Sequence, residues 1–299
     1  MAEIVLHQYP FSPFAEVAKL ALGLKGLSSK VVTQPNVAPK PELTALTGGY
    51  ERIPVLQIGA DIYCDTAAII DALEAHKPEP SLYPAPLGAA GRMIALWSAN
   101  CWFMPAVGVA LGTDPNVVPP AFWEDRKARF GMDPETFLPM VPHLGGQFGG
   151  GAELLSEALS DGRQFIGGEA PGHADLALYM NIRFVSFAGK APADFGPAIA
   201  DWYARVEAIG YGDQVDWTTD QAIEHAAAET PCPDSAVADG HGFAAGDEVH
   251  VKVEAPEKAT VAGTLVGLDD RRISIARDDE RAGRVHVHFP RLGQVLTKA

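Results

Sequence analysis

The stretch SPFAEVAKL at residues 12–20 follows a short apolar run and decides how the chain begins. The run at residues 4–6 (IVL) is typical of a buried strand, and Pro10 ends it because proline cannot donate to a ladder. Ser12 is a favoured helix N-cap, and Pro13 fits the first helical position. These features predict a strand, a turn and then a helix whose N-terminus carries Ser12.

The N-terminus of this predicted helix is electropositive, because its first N–H groups have no partners within the helix. A thiolate held there is stabilised, and the hydroxyl of Ser12 can donate a hydrogen bond to it. Capping of the helix explains the same serine without any ligand, so the local sequence leaves both interpretations open.

A second informative stretch is RIPVLQIGADIYCDT at residues 52–66. Pro54 predicts the start of a strand or a sheet edge. A cis bond between Ile53 and Pro54 leaves the backbone of Val55 free to pair with an extended peptide. The turn at residues 59–61 predicts that the strand continues into a hairpin.

Asp65 and Thr66 precede alanine, isoleucine and leucine residues at helical spacing, which predicts a second helix. The N-terminus of that helix suits a carboxylate ligand, to which Thr66 adds a hydroxyl donor. An ordinary N-cap explains Asp65 without a ligand, and this alternative also stays open.

Together, in this order and at this spacing, the two stretches resemble the N-terminal domain of the cytosolic glutathione transferases over residues 1–80. The residues around Ser12 are similar to the omega and tau pattern, and residues 53–56 resemble the family's cis-proline segment. The resemblance implies a thioredoxin-like α/β domain, glutathione as co-substrate and Ser12 as the catalytic residue. The glutathione-binding residues that it implies are Phe14, Lys40, Arg52, Ile53, Val55, Asp65 and Thr66, with Pro54 in a structural role.

The resemblance also assigns parts of glutathione to these residues. It assigns the backbone of Val55 to the cysteinyl part, and Asp65 with Thr66 to the γ-glutamyl carboxylate. It assigns Lys40 and Arg52 to the glycyl carboxylate.

The sequence departs from the family pattern at two places, by a shorter acidic side chain and by an added negative charge. Asp65 is one methylene shorter than the usual glutamate. The stretch TGGYE at residues 47–51 stands where the family has Asn-Pro-Gly and a basic residue. Glu51 therefore adds a negative charge close to the expected ligand, which either lowers its affinity or indicates a different ligand.

A proline-rich linker at residues 78–86 precedes an expected all-α domain at residues 87–225. Residues 164–179 resemble the family's buried capping segment, in which Asp175 caps a core helix by accepting backbone N–H groups near Gly172. Its implied role is structural. The apolar stretch at residues 93–111 predicts a buried or interface helix, whose aromatic residues form either core or an apolar co-substrate pocket.

A second linker at residues 226–242 leads to short alternating strands at residues 243–299, which predict a small all-β domain, SH3-like in type. His286 and His288 alternate with valines and share one strand face. They form either an exposed polar face or two ligands of a metal that needs a third.

The composition of 47% hydrophobic and 20% charged residues predicts ordinary domains with real cores. A formal net charge of −15 argues against non-specific binding to nucleic acid or to anionic membranes. No signal-peptide pattern is present at the N-terminus, and the three cysteines are far apart, so we expect a cytoplasmic protein without dithiol exchange.

Two functional hypotheses follow. The first is a homodimeric glutathione transferase-like enzyme that conjugates the glutathione thiolate to a small apolar electrophile. The alternative is a non-catalytic scaffold of the same fold, whose C-terminal β-barrel binds a protein partner.

Overall fold

The computed structural model describes residues 2–112, 114, 116, 118–254, 257 and 259–299. The chain divides into two compact units. One comprises Met1–Ala15, Ser28–Ala72 and Asp213–Ala299, and the other comprises Glu16–Leu27 and Leu73–Gly212. All ten strands assigned within the described residues belong to the first unit.

The strands form one sheet in the order β10-β6-β7-β8-β9-β4-β3-β1-β2-β5. Pairing is parallel between β1 and β2, β2 and β5, and β4 and β9, and antiparallel elsewhere. The strands are β1 Ile4–Gln8, β2 Ser29–Thr33, β3 Val55–Ile58, β4 Asp61–Cys64, β5 Gln214–Asp216, β6 Glu248–Val253, β7 Thr260–Leu268, β8 Arg272–Asp279, β9 Gly283–Pro290 and β10 Gln294–Lys298.

Helices alternate with strands in the first unit and form most of the second unit. They are α1 Pro13–Leu24, α2 Pro41–Thr47, α3 Thr66–His76, α4 Ala90–Trp97, α5 Phe103–Gly112, α6 Pro120–Phe130, α7 Pro134–Phe137, α8 Val141–Leu159, α9 His173–Ser186, α10 Pro197–Glu207 and α11 Thr219–Ala228. A π-helical turn, Ser98–Trp102, joins α4 to α5, so the two run on as one apolar helical stretch.

From β1 to α3 the elements follow the order strand, helix, strand, helix, hairpin, helix, which confirms the predicted thioredoxin-like domain. The parallel partners β1 and β2 are connected by α1, as a parallel pair requires. The buried strand β1 lies between β2 and β3.

The C-terminal residues form strands as predicted, but a closed SH3-like barrel is not confirmed. Among the described residues, β10 pairs with β6 alone, so the sheet stays open at that end. At its other end β9 pairs with β4, joining His286 to Asp61 and His288 to Tyr63 in register. The C-terminal strands therefore extend the N-terminal sheet. Alternation predicted the strands but carries no information about their partner.

One hydrophobic core runs beneath both parts of this sheet. Val55 and Ile62 belong to the same buried cluster as Val249, Ile275 and Val287. Residues 213–225, within the predicted helical domain, belong to the sheet-containing unit, where β5 pairs with β2. The domain boundaries 1–80, 87–225 and 243–299 stay a prediction about independent folding, which contacts in the intact chain do not test.

The second unit is helical, as predicted for most of residues 87–225. Trp102 is 2% exposed, stacks on Phe148 with ring centroids 5.1 Å apart, and donates its indole N–H to the Phe148 carbonyl. Gly151 makes this packing possible, because a Cβ there would lie 2.1 Å from the Trp102 Nε1. Trp102 is thus core, whereas the neighbouring Met104 is exposed.

One helical run among the described residues, Ala90–Gly112, is long and apolar enough to cross a membrane by length and composition alone. Its mean hydropathy is 1.5, and half of the stretch is buried inside the protein. The core helix of a soluble protein has the same properties, so the expectation of no membrane association stays a prediction.

Candidate functional site

The sheet brings the predicted site segments to one edge. β1 and β4 both run antiparallel to β3, which lies between them. His7, Val55 and Cys64 therefore form one row across the three strands, each about 4.8 Å from its neighbour. Pro54 and Asp65 adjoin this row, because they are the chain neighbours of Val55 and Cys64. The turn that leads to Ser12 begins at the same end of β1.

Ser12 caps α1. Its hydroxyl oxygen accepts the Ala15 N–H at 3.3 Å, and its own N–H donates to the Tyr9 carbonyl at 3.0 Å. The side chain is buried, and Phe14 is half-buried in the first helical turn. A hydroxyl that accepts this bond still has its proton to donate. The cap therefore leaves Ser12 chemically able to donate to a thiolate.

The Ile53–Pro54 bond is cis, as the resemblance implied. Val55 is fully buried and pairs with His7 on one side and Cys64 on the other, so its backbone lies inside the sheet. Ile53 precedes the strand and is half-buried. The main chain of Val55 is paired within the sheet, whereas that of Ile53 lies outside the paired strands.

Asp65 holds the start of α3 in an uncommon backbone conformation, with φ of 80°. Its Oδ1 accepts the Ala67 N–H at 2.9 Å, and its carbonyl accepts the Ile69 N–H at 3.0 Å. A non-glycine residue at positive φ costs on the order of 1–3 kcal/mol and is found preferentially at functional sites. Thr66, the first residue of α3, is half-buried beside it.

Burial raises the pKa of Asp65, although the Ala67 N–H and the positive charge of Arg52 oppose this rise. Tyr50 lies in the same electrostatic neighbourhood: burial and the charges of Asp65 and Cys64 raise its pKa, with a smaller contribution from Glu257. Arg52, Asp65 and Glu257 thus lie close enough to the uncharged Tyr50 for their charges to act on it.

The two predicted basic residues each contact a carboxylate, Lys40 through its backbone and Arg52 through its side chain. Lys40 is buried at the N-terminus of α2, and its backbone N–H donates to Glu51 Oε1 at 3.1 Å. Arg52 Nε donates to Glu257 Oε2 at 2.5 Å. Glu257 could not be predicted from the sequence, because it lies between β6 and β7 and no local pattern marks it.

His286 and His288 do not form the exposed polar face that alternation suggested. Both are buried, because β9 lies inside the sheet. His288 Nε2 lies 2.8 Å from Asp61 Oδ1, and its Nδ1 lies 2.8 Å from Ser274 Oγ. Within the part of the chain that the structure describes, no group of three or more His, Cys, Asp or Glu residues is placed to hold a metal ion.

Outside the sheet, Asp175 occupies the predicted cap of α9. Its Oδ1 accepts the Ile166 N–H at 2.8 Å and the Trp202 indole N–H at 2.9 Å. Its Oδ2 accepts the Gly172 N–H at 3.0 Å. Desolvation raises the pKa of this carboxyl against the effect of the three hydrogen bonds.

Comparison with known proteins supports the same fold. The family model for the N-terminal domain of glutathione S-transferase matches residues 6–81. The crystal structure of a GST-like protein from Pseudomonas syringae is 38% identical over 100% of both chains, with a TM-score of 0.80. No curated protein matches the chain.

Two more distant structures match a part of the chain. A glutathione S-transferase from Rhodospirillum rubrum F11 is 20% identical over 69% of this chain and 88% of its own, with a TM-score of 0.52. One from Methylobacterium radiotolerans, in complex with glutathione sulfonate, is 21% identical over 71% and 95%, with a TM-score of 0.52.

These matches carry different weight. The two structures near 20% identity show a shared fold alone. The Pseudomonas syringae protein is similar along its entire length, including the C-terminal strands, and the N-terminal family model covers the edge at which Ser12, Pro54 and Asp65 meet. The chain therefore belongs to the glutathione S-transferase family.

Proposed function

We propose that the protein binds glutathione at the sheet edge that carries Ser12, Ile53 and Thr66, and conjugates its thiolate to a small apolar electrophile. The observation that carries the proposal is the convergence of two helix N-termini and the cis-proline segment at this edge. Helix N-termini favour anions, and glutathione supplies a carboxylate and a thiolate.

The residues present fit this ligand in most respects. The N-terminus of α3 and the Thr66 hydroxyl suit the γ-glutamyl carboxylate. The main chain of Ile53 suits the cysteinyl part better than that of Val55, which the ladder already uses. The structure from Methylobacterium radiotolerans contains glutathione sulfonate, in which the glutathione sulfur is oxidised, and this supports a glutathione-type peptide as the ligand class.

In the proposed reaction Ser12 donates a hydrogen bond to the glutathione sulfur and lowers its pKa. The thiolate then attacks an electrophilic carbon. A carbon–sulfur bond forms, and the leaving group departs with its electron pair. The protein contributes no nucleophile of its own; it stabilises the one that glutathione carries.

A calorimetric titration of glutathione tests the proposal. We expect saturable binding to the wild type and binding at least about tenfold weaker, equal to about 1.4 kcal/mol, in Thr66→Ala. Thr219→Ala is the matched control, because Thr219 is the first residue of α11 as Thr66 is of α3. Absence of binding at millimolar glutathione contradicts the proposal, as does equal weakening by both substitutions.

A homodimer, a cytoplasmic location and the absence of nucleic-acid partners stay predictions. So does the alternative of a scaffold whose C-terminal domain binds a protein partner. The core that the C-terminal strands share with β3 and β4 gives those strands a structural role that requires no such partner.

A further inference from the structure

A carboxylate from the C-terminal sheet lies beside the cis-proline segment. Arg52 directly precedes Ile53–Pro54, and its Nε donates to Glu257 Oε2 at 2.5 Å. The side chain of Glu257 is 4% exposed and that of Arg52 is 28% exposed. A carboxylate this shielded from water needs a cationic partner, and removing one member of such a pair leaves an uncompensated charge.

Two further carboxylates lie close to Arg52: Glu51, its neighbour in the chain, and Asp65, whose pKa its charge affects. The carboxylate of Glu51 is held at the Lys40 backbone, and the charge of Arg52 also acts on Asp65. Glutathione at neutral pH carries two carboxylates, one of them on glycine. Arg52, the cation proposed for the glycyl carboxylate, is therefore already paired with Glu257. The glycyl carboxylate of glutathione would be repelled by the carboxylate of Glu257.

Resting on the proposed function, we propose that Glu257 determines the specificity of the site by neutralising Arg52. The favoured ligand class is a γ-glutamylcysteinyl thiol whose C-terminal end carries no carboxylate, such as an amide, ester or amine. Such a ligand keeps the γ-glutamyl and cysteinyl contacts and leaves the Arg52–Glu257 pair intact. Glutathione itself binds more weakly, because its glycyl carboxylate competes with Glu257.

Calorimetry with two probes, glutathione and its glycyl ethyl ester, tests this selectivity. We expect the wild type to bind the ester at least as tightly as glutathione. Glu257→Gln keeps the side-chain shape, removes the charge and shifts the affinity ratio toward glutathione about tenfold. Glu254→Gln is the matched control, because it makes the same charge change at an exposed position three residues away.

Arg52→Gln provides a second, opposite measurement. It leaves the Glu257 charge without this cation, so we expect a stronger preference for the ester than in the wild type. In the double variant both charges are gone, so we expect the ratio to return toward that of the wild type. Thermal unfolding of each variant establishes that it is folded.

The outcomes separate the two proposals. Glutathione bound about tenfold more tightly than the ester, with the ratio unchanged by Glu257→Gln or Arg52→Gln, overturns the selectivity and leaves the glutathione site standing. Failure of both probes to bind any variant overturns the glutathione site, and the selectivity with it. A ratio that moves equally in Glu254→Gln also overturns the role of Glu257.

Discussion

One set of buried polar side chains in the sheet forms a chain of hydrogen bonds across its strands. Asp61 accepts from His288, and His288 in turn pairs with Ser274, so three neighbouring strands are linked through side chains. A slip of one residue between β4 and β9 would place these groups on opposite faces and leave them unpaired. Because all three are buried, the chain of hydrogen bonds fixes register and does not present a nucleophile.

His7 is a second buried histidine, held between two glutamines. Its Nε2 lies 3.3 Å from Gln57 Oε1, and its Nδ1 lies 3.3 Å from Gln34 Nε2. Burial lowers the pKa of His7 to about 4 from an ordinary value of 6.5, with the Gln57 bond opposing the shift. The folded state therefore binds fewer protons at this ring than the unfolded state does between those pH values.

This difference predicts a loss of stability in acid. His7 contributes fully above pH 6.5, and that contribution is lost as the pH falls toward 4, by at most about 3 kcal/mol. Urea unfolding at a series of pH values should show a shallower acid decline in His7→Gln than in the wild type. His143→Gln removes an exposed histidine and should leave the slope unchanged. Identical slopes in all three proteins would contradict the prediction.

At the scale of the element, α1 and α3 begin at side chains that cap them. Ser12 with Pro13, and Asp65, marked the starts of α1 and α3, because capping acts within a few residues. The thioredoxin-like order and the positions of Ser12 and Asp65 at helix N-termini were predictable for this reason. The partners of β4 and Arg52 were not, since alternation identifies the faces of a strand and carries no information about a strand or carboxylate two hundred residues away.

The cap of α9 gives a prediction at this scale. Asp175→Ala removes the acceptor of the Ile166, Gly172 and Trp202 N–H groups, which are left without it in a buried place. We expect a loss of about 3 kcal/mol in the free energy of unfolding, measured with urea.

Asp194→Ala is the matched control for this cap. Asp194 accepts the Ala191 N–H at an exposed short helix, and its loss should cost about 1 kcal/mol or less. Equal losses in the free energy of unfolding for the two substitutions would show that burial does not determine how much a cap stabilises the protein.

At the scale of the whole molecule, the buried cluster that β3 and β4 share with the C-terminal strands predicts that these strands unfold together. Ile275 is fully buried in β8, and Ile275→Ala should cost about 3 kcal/mol. Because the core is continuous with β3, the free energy of the opening that permits hydrogen exchange should fall by the same amount at β3 amides as at β8 amides. Leu292→Ala, at a position 69% exposed, should change neither.

The opposite result is equally informative about the predicted boundaries. If Ile275→Ala accelerates exchange in β8 and leaves β3 unchanged, residues 243–299 unfold as a unit of their own. If exchange accelerates equally in β8 and β3, the folding unit coincides with the compact unit, which contains β1 to β10.

The pairing of β4 with β9 also sets the order of events on the ribosome. Asp61 and His288 are 227 positions apart in the chain. At about 5–20 residues per second, β4 emerges roughly 10–45 s before its partner is synthesised. Throughout that interval the nascent protein carries an unpaired strand edge and an incomplete core. We therefore expect the newborn chain to depend on holding chaperones until β9 has left the exit tunnel.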